Sequence, residues 1–460
     1  MEGARVSTRS RLPPGRDWTK GSIVGNLLSL GWPMMVGGSL NMLGPTIDMI
    51  WVGRLGASSI AGVGVSGMVV MLANSMMMGL YQGLRAMVAR FIGAGDQEGA
   101  NHVAQQALVI AVAYSVTMAT IGVLFAKQIM TLLGVAPEVV EKGAPYLRIN
   151  FIGMVTMSFR TMTEATMQAS GDSKTPMWVA VFYRLVHVVL SPVLIFGVGI
   201  FPRLGVNGAA ITNVLSQGLG AVIGLWFLFS GHTRLRLSMR KFRVDLSIIW
   251  RLMKLALPAS ITGMERTLGN LVLMYFMTPF GTLAVAGHTL NQRVEMFVNQ
   301  PAMGLGQGAG VLAGQNLGAK QPERAVKTGV LGAALLTGVM VIVSLSILLW
   351  AENIIRVFSS NPDLIKLAGA FIRIAALGYL LSGITATLQQ CISGAGDTFM
   401  PMAIMLVNMW LVQVPLAYLL PRVSGLGVYG VRWAVVAGAA TAAAAYIIYF
   451  RMGKWKLKRV

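Results

Sequence analysis

The sequence contains one unit written twice: MGLYQG at residues 78–83 returns as MGLGQG at residues 303–308, 225 positions later. The same offset relates the Gly-Asp dipeptide at 171–172 to the one at 396–397. A gap-free offset sustained along the chain is typical of an internal duplication. The sequence therefore predicts two copies of one structural unit.

Composition indicates the environment of these two units. Of the 460 residues, 55% are apolar and only 12% are charged, too few for the polar surface of a soluble enzyme or scaffold. The 37 Lys and Arg against 16 Asp and Glu lie mostly between long apolar runs. This distribution is typical of loops at an anionic membrane face rather than of nucleic-acid binding. The single Cys391 excludes disulfides within the chain.

Apolar runs of about 20 residues, the length that crosses a bilayer core, predict twelve transmembrane helices. Eight runs are nearly free of charge: 55–84, 99–126, 204–233, 267–292, 328–351, 374–396, 398–421 and 433–450. Others carry isolated ionisable residues: 24–52, 146–168, 177–200, 250–277 and 284–309. The run 267–292 straddles two helices, with a break near 279–281. We expect an all-α integral membrane protein with two six-helix repeats. Because six is even, a pseudo-two-fold axis along the membrane normal should relate them.

Loop charges predict the orientation. With both termini in the cytoplasm, the inner segments hold 23 Lys and Arg and the outer loops hold 8, as the positive-inside rule requires. The predicted location is the plasma (cytoplasmic) membrane, the inner membrane of a bacterial cell. The predicted organisation is a basic tail (1–23), an N-terminal lobe (24–230), a cytoplasmic linker (231–249), a C-terminal lobe (250–450) and a second basic tail (451–460).

Five stretches carry a resemblance to a known family: NMLGPTIDMIWVGRLG (41–56), QASGDSKTPM (168–177), LGVNGAAIT (204–212), GQNLGAKQPERA (314–325) and SGAGDTFMPM (393–402). In order and at this spacing, they resemble the multidrug and toxic compound extrusion (MATE) transporters, closest to the DinF-like branch. The resemblance implies secondary active efflux of bulky, often cationic, amphipathic compounds by antiport with Na⁺ or H⁺. It also implies no enzyme activity, no cofactor beyond the coupling ion, and a monomer in the lipid bilayer.

Two other functions stay open. A lipid-linked precursor flippase of the same superfamily would need a wide cationic cavity. An integral membrane enzyme would need paired carboxylates or a histidine cluster at one interface, and the outer loops offer only scattered acids. The glycine-rich run at 304–310 lacks the Lys-Ser/Thr of a phosphate loop, so the sequence indicates neither nucleotide binding nor ATP hydrolysis.

Asp48 is the leading candidate for coupling. A charge in the bilayer core costs several kcal/mol, and Asp48 follows Pro45, where a break frees backbone carbonyls. The resemblance implies that an acid here binds the coupling proton or Na⁺. The alternative is an interfacial carboxylate paired with Arg54.

The fifth helix departs from the DinF-like pattern of Asn followed four residues later by Asp. This chain has His187 and Ser191 at those positions, with Arg184 one turn earlier. The second carboxylate of that branch is absent. Imidazoles titrate near neutral pH, so His187 either shares the coupling proton or packs as a neutral side chain. Arg184 is a candidate for the substrate cavity.

The C-terminal repeat offers further candidates. Glu265 lies seven residues after Pro258 and is a candidate for coupling. In some branches of the resembled family, the acid of this helix lies about one residue further on. Glu295 is expected in a polar network between helices, and the pair Gln389 and Gln390 lines the cavity or joins helices. In the N-terminal repeat, Glu164 one turn after Arg160 predicts an ion pair.

The orientation predicts the accessibility of the linker. In a Cys391→Ser background, Arg240→Cys should resist impermeant thiol reagents in intact cells and react after permeabilisation, because 231–249 is predicted to face the cytoplasm. Arg203→Cys, in a predicted outer loop, is the control and should react in intact cells. Ready labelling of Arg240→Cys in intact cells would reverse the orientation.

Overall fold

A computed structural model describes residues 16–240, 242–423 and 425–458. Every regular element in these ranges is helical, and together they form the twelve spans that the sequence predicts. The N-terminal half contains α1 (Ile23–Val52), α2 (Ala57–Gly93), α3 (Gln97–Leu132), α4 (Pro137–Ile152) with α5 (Met154–Ser170), α6 (Lys174–Phe196) and α7 (Val206–Ser230). The C-terminal half contains α8 (Leu246–Met277), α9 (Thr282–Gly318), α10 (Pro322–Arg356), α11 (Pro362–Gly394), α12 (Phe399–Val407) with α13 (Val414–Val423), and α14 (Val428–Met452).

The outer surface of the bundle is apolar. Val222, Ile342 and Leu411 are each about two-thirds or more exposed, as expected of side chains that face lipid rather than water. Nine helical segments in the described ranges are long and apolar enough to cross a membrane. The remaining spans are α4 with α5, broken at Gly153, and the more polar α8 and α9. The chain is a multi-pass membrane protein.

Helix breaks follow local sequence. The predicted break near 279–281 is confirmed: α8 ends at Met277, a 3₁₀ turn spans Thr278–Phe280, and α9 begins at Thr282. The fourth span begins at Pro137 rather than at the predicted 146, because proline fits the first turn of a helix. The eleventh span contains a π-helical turn at Asn408–Gln413, which sequence periodicity did not indicate.

The two halves repeat the same backbone. Gly171 and Gly396 end corresponding helices with φ of 94° and 93°, a left-handed conformation that glycine adopts without strain. Gly205 and Gly427 precede α7 and α14 with φ of 55° and 52°. These pairs confirm the internal repeat at the level of backbone geometry.

Close contacts between the halves are reciprocal. A Cβ on Gly79 would lie 2.2 Å from the Ser260 amide nitrogen, and one on Gly304 would lie 2.6 Å from the Met35 backbone. Ser260 and Met35 are themselves 225 residues apart. The same contact is thus made twice with the halves exchanged, as a two-fold axis requires.

A second reciprocal pair lies at one end of the bundle. A Cβ on Gly93 would lie 2.0 Å from the Gln315 carbonyl oxygen, and one on Gly318 would lie 2.1 Å from the Arg90 carbonyl oxygen. The segment that joins the halves lies at this same end, where Asn101 near the start of α3 donates a hydrogen bond to the Ser238 carbonyl. We call this end of the bundle the linker end. The halves are therefore packed together at the linker end.

Hydrogen bonds fix the joining segment to α3. Gln106 donates to the Arg243 carbonyl at 2.7 Å and accepts from the Asp245 amide at 3.0 Å. Asp245 caps α8, and hydrogen bonds from the Ser247 hydroxyl and the Ile248 amide lower the pKa of Asp245 to about 2. The cap therefore stays ionised, and favourable to the start of α8, throughout the physiological pH range.

Two arginines lie elsewhere than the loop assignment placed them. Arg85 was assigned to an inner segment and Arg432 to an outer loop, but α2 continues to Gly93 and α14 begins at Val428. Both side chains are buried, at 9% and 3% exposure. The predicted spans are too short at these places because an apolar run stops at a charged residue, although the helix continues past it.

The reciprocal packing predicts which glycines tolerate a methyl group. Gly93→Ala should destabilise the protein by about 1–3 kcal/mol, because its Cβ overlaps a backbone carbonyl of the other half. Gly64→Ala in the same helix meets no atom within 4 Å and should leave the unfolding temperature in detergent unchanged or slightly raised. Equal losses in both variants would contradict the packing.

Candidate functional site

The N-terminal half encloses a carboxylate–imidazole pair. The Asp48 Oδ1 atom lies 3.0 Å from His187 Nε2 and accepts a hydrogen bond of 3.0 Å from the Ser191 hydroxyl. Asp48 is 5% exposed, and His187 and Ser191 are fully buried. His187 and Ser191, the two departures from the DinF-like pattern, thus both contact the Asp48 carboxylate.

Local sequence positions this pair. Pro45 lacks an amide hydrogen, so α1 loses one backbone hydrogen bond in the turn before Asp48. On α6, positions 184, 187 and 191 share one face, since residues three and four apart are neighbours on a helix. The alternative ion pair with Arg54 is wrong: Arg54 stacks on the Trp51 ring at 4.8 Å.

The imidazole has a partner on each side. His187 Nδ1 lies 3.3 Å from the Ser216 hydroxyl of α7, which donates to the Asn213 carbonyl at 3.1 Å. A hydroxyl can donate or accept, so either ring nitrogen of His187 can carry a proton without losing its hydrogen bond. This arrangement can hold a proton on Asp48, on His187, or between them.

Arg184 packs beside the pair. A Cβ on Gly44, one turn before Asp48, would lie 1.9 Å from Arg184 Nη1. The guanidinium lies over the Tyr183 ring at 5.3 Å, and its Nε atom has no hydrogen-bond partner among the described residues. The tyrosine is held by a hydrogen bond of 2.7 Å to Asn41. A buried guanidinium therefore lies next to the candidate coupling site.

The predicted pair on α5 is present. Arg160 Nη1 donates to Glu164 Oε2 at 2.7 Å. Arg160 Nε also donates to Gln217 at 3.1 Å, and Gln168 donates to the second oxygen of Glu164 at 3.0 Å. The ion pair is thus part of a larger polar network than the sequence indicated.

The candidates of the C-terminal half lie apart from Asp48. Glu265 is buried in α8, at 4% exposure, and its Oε2 atom has no partner among the described residues. Glu295 is half-buried in α9. A contact missed from sequence, because its members lie 144 residues apart, joins Arg432 Nη2 to His288 Nδ1 at 2.7 Å in this half. Arg432 also interacts electrostatically with Glu295.

The repeat does not duplicate the carboxylate site. The residues 225 positions after Gly44, Asp48 and Arg184 are Gly269, Leu273 and Met409. A Cβ on Gly269 would lie 2.6 Å from the Met409 methyl group, so methionine takes the place that arginine has in the first half. Leu273 is buried in an apolar cluster. At the positions of Asp48 and Arg184, the N-terminal half thus holds charged groups where the C-terminal half holds apolar ones.

Both members of the predicted glutamine pair are half-buried. Gln390 accepts a hydrogen bond of 2.9 Å from Gln82 across the two halves and borders a small cavity between them. Among the described residues, no three His, Cys, Asp or Glu side chains form a metal-binding group. A bound Na⁺ at Asp48 would need hydroxyl or carbonyl oxygens as further ligands; Ser191 supplies one.

The chain belongs to the MatE family. The family profile matches residues 33–193 and again 258–419, two matches that begin one repeat apart. The chain is therefore a membrane transporter and not an enzyme. Its family's substrates are small molecules.

The relatives are named as multidrug resistance proteins and transporters. The chain is 25% identical to the "Probable multidrug resistance protein YpnP" of Bacillus subtilis, covering 96% of this chain and 98% of that protein. It is 23% identical to the "FAD transporter" of Shewanella oneidensis, covering 87% and 88%.

Solved structures confirm the fold. A crystal structure of MATE in the bent conformation matches with a TM-score of 0.90 at 24% identity, covering 96% of this chain and 98% of that one. A MOP superfamily transporter from Pyrococcus furiosus, described as having a binding pocket of reverse polarity, matches with a TM-score of 0.91 at 23% identity, covering 98% and 100%.

The position of the Arg184 side chain against Gly44 predicts that two glycines of α1 respond differently to replacement by alanine. Gly44→Ala should lower the efflux rate several-fold, because its Cβ displaces the guanidinium and an off-rotamer side chain costs about 1 kcal/mol. Gly37→Ala meets no atom within 4 Å and should transport normally. Dye efflux at matched expression measures both, and normal efflux by Gly44→Ala would remove Arg184 from the site.

Proposed function

We propose that this chain exports bulky amphipathic compounds, often cationic, in exchange for protons that bind the Asp48–His187 pair. The observation that carries the proposal is the contact of 3.0 Å between a buried carboxylate and a buried imidazole. In a bilayer a lone ionised group costs several kcal/mol. The pair lowers that cost by sharing a proton. Its protonation state therefore depends on the groups around it.

Exchange follows if outward and inward states prefer different protonation states of this pair. A proton taken up from outside would change the hydrogen bonds that Asp48 makes to α6, and the substrate would leave. Release of the proton to the cytoplasm would restore the substrate-binding state. If the proton and the substrate cannot be bound at the same time, each change of state carries only one of them across the membrane.

Protons are favoured over Na⁺ by the chemistry of the donors. Asp48 Oδ1 contacts one nitrogen and one hydroxyl, whereas Na⁺, a hard cation, prefers several oxygen ligands. The proposal includes the plasma membrane as location, both termini in the cytoplasm, and a monomer as the transporting unit. Glu265 is kept as the site in the C-terminal half that would couple if Asp48 does not.

A second candidate is transport of anionic amphipaths, as in a lipid-linked precursor flippase. Three guanidiniums in the N-terminal half, Arg85, Arg160 and Arg184, are each less than 10% exposed. The likeness to a transporter with a pocket of reverse polarity and to an FAD transporter supports this reading. Competition of an anionic against a cationic amphipath for binding to purified protein would separate the two classes.

The proposal predicts that Asp48→Asn abolishes export driven by a pH gradient while the protein stays folded, because the amide keeps the shape and loses the charge. Purified protein in liposomes, with pH and Na⁺ gradients imposed separately, measures this. Ser191→Ala retains the carboxylate and should keep measurable export. Wild-type rates in Asp48→Asn would shift coupling to Glu265 or Glu295.

The histidine should set the pH dependence. His187→Gln should flatten the dependence of the export rate on pH, because the amide cannot carry the proton that the imidazole shares with Asp48. His232→Gln is the matched control, since His232 lies outside the site and stacks on Trp226. An unchanged profile in His187→Gln, together with dependence on a Na⁺ gradient, would replace the proton with sodium.

A further inference from the structure

We propose that Arg85 is the positioning residue through which the Asp48–His187 pair controls closure of the two halves at the linker end. This inference rests on the proposed coupling role of Asp48. Arg85 lies on α2, whereas Asp48 and His187 lie on α1 and α6. Its basis is a series of hydrogen bonds between the two places, which passes at Asn213 from the backbone carbonyl to the side chain of the same residue.

Arg85 lies where the repeat axis passes between the halves. A small cavity there is bordered by Gln82 and Gln307, which are 225 residues apart, and by Arg85 and Gly310, which are also 225 apart. Both members of each repeat pair face one cavity, so the axis runs through it. Because Gly310 has no side chain, a single guanidinium can occupy the space that symmetry would assign to two.

The guanidinium joins both halves through amides alone. Arg85 Nη1 donates to Gln168 at 3.3 Å and to Gln307 at 3.4 Å, and Nη2 donates to Gln82 at 3.2 Å. Gln82 in turn donates to Gln390 of the other half at 2.9 Å. Among the described residues the Arg85 Nε atom has no partner, and the acceptors of the other two nitrogens are neutral. No carboxylate therefore holds this buried cation directly. It is suited to release.

From Arg85 the network continues into the N-terminal half. Gln168 donates to Glu164 at 3.0 Å, and Glu164 accepts from Arg160 at 2.7 Å. Arg160 donates to Gln217 at 3.1 Å, which donates to Asn213 at 2.9 Å. Glu164 is therefore the nearest carboxylate to Arg85 along the network, and Arg160 competes for it.

The last steps reach the coupling pair. The carbonyl of Asn213 accepts from Ser216, whose hydroxyl meets His187, which meets Asp48. Asn213 joins the two parts of the network, because its backbone carbonyl accepts from Ser216 and its side-chain oxygen accepts from Gln217. A changed proton on Asp48 or His187 that displaces Ser216 thus also displaces Asn213 and Gln217, and alters the hold of Arg160 on Glu164. Through Gln168, it alters the hold of the N-terminal half on Arg85.

In the structure the network is complete and the linker end is closed. Interruption of the network should therefore favour opening at that end, where Arg85 loses Gln307 and Gln82 loses Gln390. Arg85→Lys should open it partially, since an ammonium cannot reproduce the planar fork of a guanidinium. Arg85→Gln should open it further.

A reporter at the cavity measures opening. Val311 borders the cavity and is 3% exposed, so Val311→Cys in a Cys391→Ser background should react slowly with a small water-soluble thiol reagent. Asp48→Asn should change this rate by on the order of tenfold, within the usual range of coupling between sites. Adding Gln168→Leu should raise the basal rate and reduce the effect of Asp48→Asn to less than about twofold.

Gln315→Leu is the matched control. Gln315 also bridges the halves at the linker end, donating to the Ala169 carbonyl at 2.8 Å, but it is outside the network. Its loss should raise the basal rate and leave the tenfold effect of Asp48→Asn intact. A merely structural role for Gln168 would make the two leucine variants behave alike.

Three results would overturn the inference: wild-type labelling in Arg85→Gln, no effect of Asp48→Asn on labelling, or a full effect of Asp48→Asn in Gln168→Leu. Failure of the proposed function has a different signature, namely gradient-driven export that survives Asp48→Asn. Export lost in Asp48→Asn with a full labelling response in Gln168→Leu would retain the function and reject the route through Arg85.

Discussion

The exclusion of water from the bilayer core is the constraint on which this structure depends. A charged side chain there costs several kcal/mol unless protein groups replace its hydration. Asp48 meets that requirement with one imidazole and one hydroxyl from α6. The pair exists only because α1 approaches α6 closely, and Gly44 leaves room for Arg184 at that contact. The buried charge of Asp48 therefore depends on the close packing of α1 against α6.

Duplication supplied a symmetric scaffold, and the chemistry is asymmetric. Reciprocal glycine contacts between the halves keep the backbones close on both sides of the axis. The position of Asp48 is occupied by Leu273 in the second half, and that of Arg85 by Gly310. The C-terminal half also buries charged groups, Glu265 and Arg432, but at other positions of the repeat. The proposed coupling site therefore belongs to the N-terminal half.

Hydropathy, loop charge and the repeat sufficed to predict twelve spans, the two-fold relation and the break before α9. These features depend on solvent and on chain periodicity, which are local properties of sequence. The partner of Asp48 was not determined in this way. Arg54 is six residues away and His187 is 139 residues away, and only the folded chain decides between them. The departure at His187 and Ser191 was nevertheless visible in the sequence as a signal.

Residues that the sequence did not single out share one property. Ser216 and Gln217 contribute through partners on other helices, and an uncharged polar residue in an apolar run gives no pattern of its own. Arg85 was misplaced because a single charge ended the apolar run before the helix ended. Long-range hydrogen bonds of this kind require three-dimensional structure.

Proton movement driven by substrate tests the central claim most directly. Liposomes that contain purified protein, equal Na⁺ on both sides and an interior pH dye should receive a substrate gradient with no imposed pH gradient. The account predicts that downhill substrate flux moves protons in the opposite direction, at a rate that depends on Asp48 and His187. Substrate flux without any proton movement, or with movement of Na⁺ instead, would contradict it.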